Sequence, residues 1–488
     1  GATIDGATVL VSGGGTVNVD LSTLTGGDVT LSAGLPNTGG AFATTNANAS
    51  LAVSGALGGA TLLGFDSAGN ASNSGTLTLG SNAAVAGTLT NTGALTLDGT
   101  FAIDGAVVNN RTMSQTGAVS MGSFANNGAF DGGNYSLTTT DGGLSNGGQM
   151  INVGGIDVTG GDFANNGQFT SNGSTLSVTG GNVVNGGAIT GNSQLNVIGG
   201  NVTNSGSMAV LYVIVTNGSV TNSGQLSLSN GNVETRSDSA AGQGFTAGAD
   251  YSITNTGVIT SSGGLYLIAN NDLWNERNQA AGTTNDSTGS VTNGSTGVLQ
   301  LASGQDFFLE GYSDVTLGGT VQALSGGKYK ALSATNPLGS VAIFAGDYDD
   351  TMLNATGTAT VSTALTTAGV SYALVAGTQV NLLSNLSSVN TTDTPTGFVG
   401  IVAGAQSATG YAVRVGAGAT VTADQIHVNG DTAGDNPNVI INGTLAANSI
   451  YFGQGNGLLG LSSVAVSDVF TGPSGSLVMY NNGTSDPY

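Results

Sequence analysis

Residues 201–210 read NVTNSGSMAV and residues 219–228 read SVTNSGQLSL, so the same pattern returns after 18 residues. Asn204 and Asn222 stand at equivalent places in the two segments. An apolar residue lies two positions before each Asn, Gly lies two positions after it, and a second apolar residue lies four positions after it. The repeating unit is therefore φ-x-N-x-G-x-φ, where φ is apolar and x is any residue.

This unit occurs nine times in succession, and the Asn residues are 17 to 20 positions apart. Eight of the nine units have Gly at the second position after Asn, and the exception carries Arg111 there. All nine have the apolar residue four positions after Asn. The Asn residues of the nine units are Asn73, Asn91, Asn109, Asn126, Asn146, Asn165, Asn185, Asn204 and Asn222.

Within each unit the apolar residues alternate with polar ones, and Gly-Gly or Asn-Gly pairs separate the short runs. A period of two with turn breaks predicts strands, three to a unit. A repeat of about 19 residues fits one coil of a right-handed parallel β-helix, an all-β solenoid whose coils stack about 4.8 Å apart. The Asn side chains are then expected to form an amide ladder at one corner, where Asn tolerates left-handed backbone.

The composition limits the partners of such a molecule. Only 6 residues are Lys or Arg while 28 are Asp or Glu, which gives a formal net charge of −22. Because this charge repels phosphate groups, nucleic acids and anionic membrane surfaces are not expected as partners. The longest strongly apolar run, residues 208–215, is also far shorter than the roughly 20 residues of a membrane-spanning helix, so membrane insertion is not expected. The absence of cysteine excludes disulfides and thiolate metal sites.

Changes in the pattern divide the chain into five segments. Residues 1–50 are interpreted as irregular entry coils, and residues 51–268 as the regular β-helix with Asn-x-Gly repeats. Residues 269–290 interrupt the alternation and are interpreted as a loop excursion. Residues 291–467 are expected to form longer, less regular coils, and residues 468–488 a last strand and a tail.

The units quoted above resemble the haemagglutinin-type repeats of filamentous haemagglutinin-like adhesins and of related autotransporter passengers. The match is clear over about residues 71–260 and looser to about residue 450. The resemblance implies an exported β-helix of the two-partner secretion or autotransporter type. The secretion domain of that family carries an N-P-N-G turn, whereas this chain has Asn436-Pro437-Asn438-Val439 far downstream, so the secretion role is not transferred to it.

Polysaccharide lyases and hydrolases are also parallel β-helices, which makes a polysaccharide-cleaving enzyme the alternative function. Such catalysis needs paired carboxylates, or a cationic base beside calcium-binding carboxylates. The densest carboxylate group is Asp347, Asp349 and Asp350, which we interpret as a solvated loop with a weak calcium site at most. The only histidine, His427, is interpreted as an outward strand residue because both its neighbours are apolar. No catalytic residue is assigned, and no cofactor other than such calcium is expected.

Aromatic residues are concentrated in the second half of the chain, where ten of the twelve Tyr residues lie at or after Tyr251. Two interpretations stay open. The rings could form a contact surface for a glycan or a protein, because flat rings stack on sugars and anchor interfaces. Alternatively they fill the larger coils, as the alternation around Tyr329, Tyr372 and Tyr411 allows. Trp274, the only Trp, lies in the polar excursion and is the candidate contact residue.

These observations predict an exported bacterial surface or matrix protein, extracellular or at the cell surface, that acts as a rigid structural or adhesive rod. The start at Gly1 without a basic and apolar leader fits a processed exported chain. Its expected partners are a host or matrix glycan or protein, and further copies of itself. Residues 1–11 and 474–483 both alternate in strand fashion, and similar coils at both ends would allow head-to-tail assembly into filaments.

Overall fold

Short β-strands make up the regular secondary structure of this protein, and no helix occurs in the part of the chain that the computed structural model describes. Contacts divide the chain into two units, unit 1 (Gly1–Val210) and unit 2 (Leu211–Tyr488). The structure describes residues 88–172, 175–191, 194–236, 251–269, 289–349, 352–354, 357–369, 371–390, 392, 394–403, 413–430 and 438–452, together with strand segments between residues 9 and 85, at 463–466 and at 476–479.

Each unit is a stack of coils, and each coil has three strands. In one coil of unit 1 these are Leu144–Asn146, which we call the ladder strand, Gln149–Val153, the second strand, and Gly155–Thr159, the third strand. Each pairs in parallel with its equivalent in the following coil. The predicted parallel β-helix with three strands per coil is therefore confirmed.

The strands of unit 1 follow this order from coil to coil. Three longer strands continue through a turn, so that each forms two successive strands of the coil. Ala56–Phe65 forms a second and a third strand. Phe101–Asn109 and Val119–Asn126 each form a third strand and the ladder strand that follows it. The other ladder strands are Val9–Val11, Asp28–Leu31, Ser50–Val53, Asn70–Asn73, Leu89–Asn91, Leu144–Asn146, Phe163–Asn165, Val183–Asn185 and Val202–Asn204. The other second strands are Thr76–Gly80, Ala94–Asp98, Thr112–Gln115, Ala129–Asp131, Gln149–Val153, Gln168–Ser171, Ala188–Thr190 and Ser207–Val210. The other third strands are Ala41–Thr44, Ala84–Val85, Ser136–Thr139, Gly155–Thr159, Leu176–Thr179 and Gln194–Ile198.

Unit 2 repeats the arrangement with longer connections. Thr420–Gly430 and Thr444–Phe452 are each a second and a third strand. The ladder strands are Val220–Asn222, Ile253–Asn255, Val291–Asn293, Val315–Leu317, Thr358–Val361, Gln379–Leu382, Val413–Val415, Asn438–Ile441 and Ser463–Val466. The other second strands are Gln225–Leu228, Val258–Ser261, Val298–Ala302, Thr320–Ser325, Leu365–Ala368 and Leu386–Val389. The other third strands are Tyr212–Thr216, Asn232–Arg236, Leu265–Ala269, Phe307–Gly311, Val341–Ala345, Tyr372–Gly377, Phe398–Ala403 and Ser476–Met479.

Two antiparallel hairpins leave the coils of unit 2. Lys328–Ala331 pairs with Thr320–Ser325, and this hairpin carries both lysines of the chain. Asp347–Asp349 pairs with Met352–Asn354 in a separate two-stranded sheet. Two of the three carboxylate residues singled out from the sequence, Asp347 and Asp349, thus lie on a hairpin strand rather than on a coil, and Asp350 lies outside the described residues.

The interior of the coils is filled by stacked apolar side chains. The apolar positions that flank Asn in the repeat point inward, and Phe163 and Phe169 are completely or almost completely buried. Their rings meet edge to face within one coil, with centroids 5.6 Å apart, as do those of Phe124 and Phe130 at 5.2 Å. The two apolar positions of the repeat thus pack against each other across the turn that contains Asn.

The glycine of the repeat is needed for close approach of the coils. A Cβ atom at Gly167 would overlap the carbonyl oxygen of Gly148 in the coil before, and Gly187 stands in the same relation to Gly167. Neither glycine has a positive φ. The repeat therefore requires Gly here because backbone stacks on backbone, which leaves no room for a side chain.

Candidate contact surface and the asparagine ladder

The Asn side chains of the repeat form a continuous ladder inside unit 1. Each Nδ2 donates a hydrogen bond to Oδ1 of the Asn in the next coil, at 2.7 to 2.8 Å. Their exposed fraction is 0 to 1%. The members are Asn91, Asn109, Asn126, Asn146, Asn165, Asn185 and Asn204. Asn73 pairs with Asn91 in the strand register, and its side chain lies outside the described residues.

A second run of the ladder lies in unit 2 and is longer than the sequence predicts. Asn222 donates to Asn255 at 2.8 Å, and Asn255 donates to Asn293 at 2.7 Å. The nine-unit repeat did not include Asn293. Its glycine, Gly297, follows four positions later instead of two, because the turn holds two more residues. The apolar residue two positions before it, Val291, is the signal that would have found it.

The hydrogen-bonding capacity of these amides is used within the protein. The second hydrogen of Nδ2 goes to a backbone carbonyl of the next coil, as from Asn146 to Gln168 at 2.9 Å. The expected left-handed backbone is wrong, since every ladder Asn ends a strand and positive φ among non-glycine residues occurs at Asn134, Asn152 and Asn217. In the ladder runs Asn supplies a paired donor and acceptor, which satisfy the polar groups of a buried turn.

The ladder position becomes aliphatic in the later coils of unit 2. Asn293 pairs in register with Leu317, and its Nδ2 donates to the carbonyl of Gly318 at 2.6 Å, which ends the run. The following residues of this position are all buried: Leu317, Val361, Leu382, Val415 and Ile441. The ladder is thus an internal support, and it offers no group to a ligand.

The outward side of the third strands differs between the two units. In unit 1 one outward position, followed from coil to coil, is small or polar throughout: Ala102, Ser120, Thr138, Asp157, Ser177 and Asn196. In unit 2 the outward residues of the third strands are mostly aromatic or aliphatic. Seven outward residues, one from each of seven successive third strands, are called the outer strip below. They are Tyr266, Phe308, Phe344, Leu374, Phe398, His427 and Tyr451.

The rings of the outer strip touch along the stack. Centroids are 6.3 Å apart for Tyr266 and Phe308 and 5.6 Å apart for Phe308 and Phe344. Phe344 is only 3% exposed and packs in a cluster with Ala342 and Ala376, although all three point away from the interior of the coils. Tyr266, by contrast, is 37% exposed. The strip is therefore buried at its centre and open at the Tyr266 end.

Tyr372 also lies on the outward side, two residues before Leu374, and it is 49% exposed. The interpretation that this ring fills the coil interior is wrong. Tyr329 is half-buried on the hairpin, and Tyr411 lies outside the described residues. Among the tyrosines whose side chains the structure describes, Tyr251 alone is buried, at 1% exposed, and fits the filler interpretation.

Charged groups are buried beside the strip. Glu234 is 3% exposed and binds Arg236 through both carboxylate oxygens, with Nη2 to Oε2 at 2.8 Å. The hydrogen bond to Glu234 raises the pKa of Arg236. Glu310 is 7% exposed and stands two coils after Glu234 on the same outward position, with Ile268 between them. The outward side of these third strands thus carries two buried carboxylates, and that of Glu234 forms an ion pair with Arg236.

His427 points outward, and the structure places it between two aromatic rings. Its ring centroid lies 4.8 Å from that of Phe398 and 4.5 Å from that of Tyr451. Nε2 is buried without a hydrogen-bond partner. Burial lowers the pKa of His427, so the neutral form is favoured. The side chain thus belongs to the outer strip.

The remaining candidates from the sequence lie partly or wholly outside the described residues. Asp347 and Asp349 share one side of their short strand by backbone alternation, but their side chains, like Asp350 and Trp274, lie outside the described residues. Within the described ranges, no group of three or more His, Asp or Glu side chains is placed to hold a metal ion. The calcium site and the Trp274 contact stay predictions.

Comparisons with protein-family models, with curated proteins and with solved structures found no match to this chain. The resemblance to haemagglutinin-repeat adhesins accordingly rests on the repeat unit alone. None of the described residues belongs to a helix that could cross a membrane.

Proposed function

We propose that this chain is part of an exported bacterial surface or matrix protein that works as a stiff adhesive or structural β-helix. The observation that carries the proposal is the change of the outward residues, from polar in unit 1 to aromatic and aliphatic in unit 2. Contiguous apolar residues that stay exposed on the outside of a fold mark interaction surfaces, and the strip is exposed at its Tyr266 end. The proposed role is extracellular, with a glycan or protein of the host or matrix as partner.

The internal ladder supports this role physically. Each coil is tied to the next by backbone pairing on all three strands and by a buried amide hydrogen bond in the repeat region. Because such a stack resists bending and sliding of one coil on another, it can present an outer surface of fixed geometry. The repeat supplies the support and the outer strip supplies the contact.

Adhesion of protein-coated beads tests the proposal. Beads that carry the chain should adhere to matrix polysaccharide or to glycan-coated surfaces, and Phe308→Ser with Tyr451→Ser should reduce adhesion severalfold. Tyr135→Ser is the matched control, because Tyr135 is 44% exposed and belongs to unit 1, whereas all residues of the strip belong to unit 2. Equal adhesion of the strip variant and wild type, with unchanged circular dichroism, would overturn the proposed contact surface.

Assembly with further copies is a second part of the proposal. Strands Val9–Val11 and Ser476–Met479 are the first and last of the structure, and each pairs in parallel with the neighbouring coil. Head-to-tail contact of such strands would give filaments. Electron microscopy of the purified chain with and without calcium should show filaments, and separate particles at every protein concentration would refute assembly.

Polysaccharide cleavage is the second candidate function. Glu234 and Glu310 are separated by two coil steps, about 9.6 Å, close to the carboxylate spacing of about 6.5 to 9.5 Å in inverting glycoside hydrolases. Against it, Arg236 holds Glu234 in a bidentate pair, which opposes a role as general acid. Release of reducing ends from a neutral or amino-sugar polymer, abolished by Glu310→Gln, would establish the enzyme, and intact polymer after long incubation would exclude it for those substrates.

A further inference from the structure

The open end of the outer strip borders a line of small and polar residues. The line has one residue from each of four successive coils, and each stands directly before the residue at which the pairing with the preceding or following third strand begins. The four residues are Gly264, Asp306, Ser340 and Tyr372. Asp306 is exposed and Ser340 is partly exposed. The four residues lie in line along the stacking direction of the coils, and we call this line the trough.

The ring of Tyr266 fills the first place of this trough. A Cβ atom at Gly264 would lie 3.0 Å from Cε2 and 3.2 Å from the hydroxyl oxygen of Tyr266, so the ring occupies the space that a side chain there would take. The ring of Tyr372 stands three coil steps further on, about 14 Å along the stack. The trough therefore has an exposed aromatic ring at each end.

A carboxylate lies between the two rings. Oδ1 of Asp306 accepts a hydrogen bond from the backbone N–H of Ser340 at 2.9 Å, which orients the group in the trough. The pKa of Tyr266 is raised by burial first and then by the negative charge of Asp306 and the proximity of Tyr372. These electrostatic effects are consistent with the three side chains sharing one site.

The charge of the site selects among sugars. Two aromatic faces and a carboxylate favour a cation, since ring faces carry partial negative charge. The chain carries a net charge of −22, and the described third strands of unit 2 contain one cation, Arg236, which is paired with Glu234. An anionic polysaccharide is repelled, whereas an amine-bearing polysaccharide is attracted.

We propose that the trough binds a cationic amino-sugar polysaccharide, with sugar faces stacked on Tyr266 and Tyr372 and an ammonium group beside Asp306. The proposal rests on the adhesive function and names the class of its ligand. A linear chain suits the site because the two rings and the carboxylate lie in one line along the stack. Stacking supplies orientation, and the carboxylate supplies selection for the free amine over the acetylated amine.

Calorimetry with defined oligosaccharides tests this assignment. The chain should bind a glucosamine hexamer at pH 6, at least tenfold more tightly than the N-acetylglucosamine hexamer, and should not bind an alginate oligomer. Tyr266→Ala, Tyr372→Ala and Asp306→Asn should each weaken hexamer binding about tenfold. Raising the salt concentration should weaken binding of the wild type and have less effect on Asp306→Asn. Tyr135→Ala and Asp141→Asn, at exposed positions of unit 1, should leave the affinity unchanged.

Several outcomes would overturn the proposal. Equal affinity for the two hexamers would remove the selection for an amine, and equal losses in the unit 1 controls would remove the assignment to the trough. Loss of self-association in Tyr372→Ala without any hexamer binding would assign the surface to a second copy of the chain. Beads that adhere through the outer strip while the hexamer does not bind would refute the amino-sugar ligand alone. Hexamer binding without any bead adhesion would refute the adhesive function.

Discussion

Replacing Asn255 by Leu removes the middle member of the three-residue ladder run in unit 2. Asn255 accepts a hydrogen bond from Asn222 at 2.8 Å and donates one to Asn293 at 2.7 Å. All three side chains are buried, so the variant leaves one donor and one acceptor without a ladder partner. Each such buried group costs about 1 to 3 kcal/mol, and we expect a loss of about 2 to 6 kcal/mol in the free energy of unfolding.

Asn293→Leu is the matched variant at the end of the same run. It leaves only the donor of Asn255 without its ladder acceptor, because the next residue of this position is already Leu317. The carbonyl of Gly318, which also loses a donor, is partly exposed and can bond to water. The expected cost is therefore about 1 to 3 kcal/mol, roughly half that of Asn255→Leu.

The double variant separates the ladder from general effects of packing. In the Asn255→Leu background, Asn293→Leu removes an acceptor that has already lost its donor, so its added cost should be close to zero. The two changes are then non-additive by about 1 to 3 kcal/mol, which is the whole cost of Asn293→Leu on its own. Urea unfolding followed by far-ultraviolet circular dichroism measures all four proteins. Equal single losses that add in the double variant would refute the ladder as an energetically coupled unit.

Three further perturbations test the core, the stacking turn and the outer strip. Phe163→Asp should cost several kcal/mol because it buries a charge without a partner, whereas Phe163→Leu should cost much less; an unchanged melting temperature of the Asp variant would contradict the inward register. Gly167→Ala should lower the free energy of unfolding by about 2 kcal/mol or more, because the added Cβ overlaps the carbonyl of Gly148. Gly263→Ala is the control and should be nearly neutral, since a Cβ there meets nothing within 4 Å. Similar losses for both variants would contradict the close approach of the coils at Gly167. The folded-state pKa of His427 lies below its unfolded value, so the contribution of the neutral side chain to the free energy of unfolding should be complete above pH 6.5 and should be lost as the pH falls through the folded pKa. His427→Gln should therefore reduce the pH dependence of stability between pH 7.5 and 5. An identical pH profile of the variant and the wild type would exclude His427 as the source of this dependence.

The repeat in the sequence was sufficient for the architecture of the coils. The spacing of Asn and its flanking apolar residues predicted stacked parallel strands, inward Phe163 and Phe169, and an amide ladder, because every coil repeats the same local environment. A property that recurs in nine units is visible from the order of residues alone. The reason for Asn was nevertheless misjudged, since left-handed backbone is a local property whereas the ladder depends on a partner about 19 residues away.

The candidate contact surface could not be predicted in this way. Tyr266, Phe308 and Phe344 lie 42 and 36 positions apart in the chain, with connections of irregular length, so no period reveals that they touch. Alternation alone also left the side of Tyr372 undecided, because strands with apolar residues on both faces have no polar face to mark the outside.

What the sequence by itself determined is therefore the coil, whose interactions are copied from each unit to the next. What only the tertiary structure decided is the outward surface of unit 2, together with the position at which the ladder ends, where Leu317 follows Asn293 in register. The physical reason is the length of the connections. Insertions between strands shift the sequence positions of neighbours without disturbing the strand register, so which side chains meet on the outside is set by the stacking of the coils.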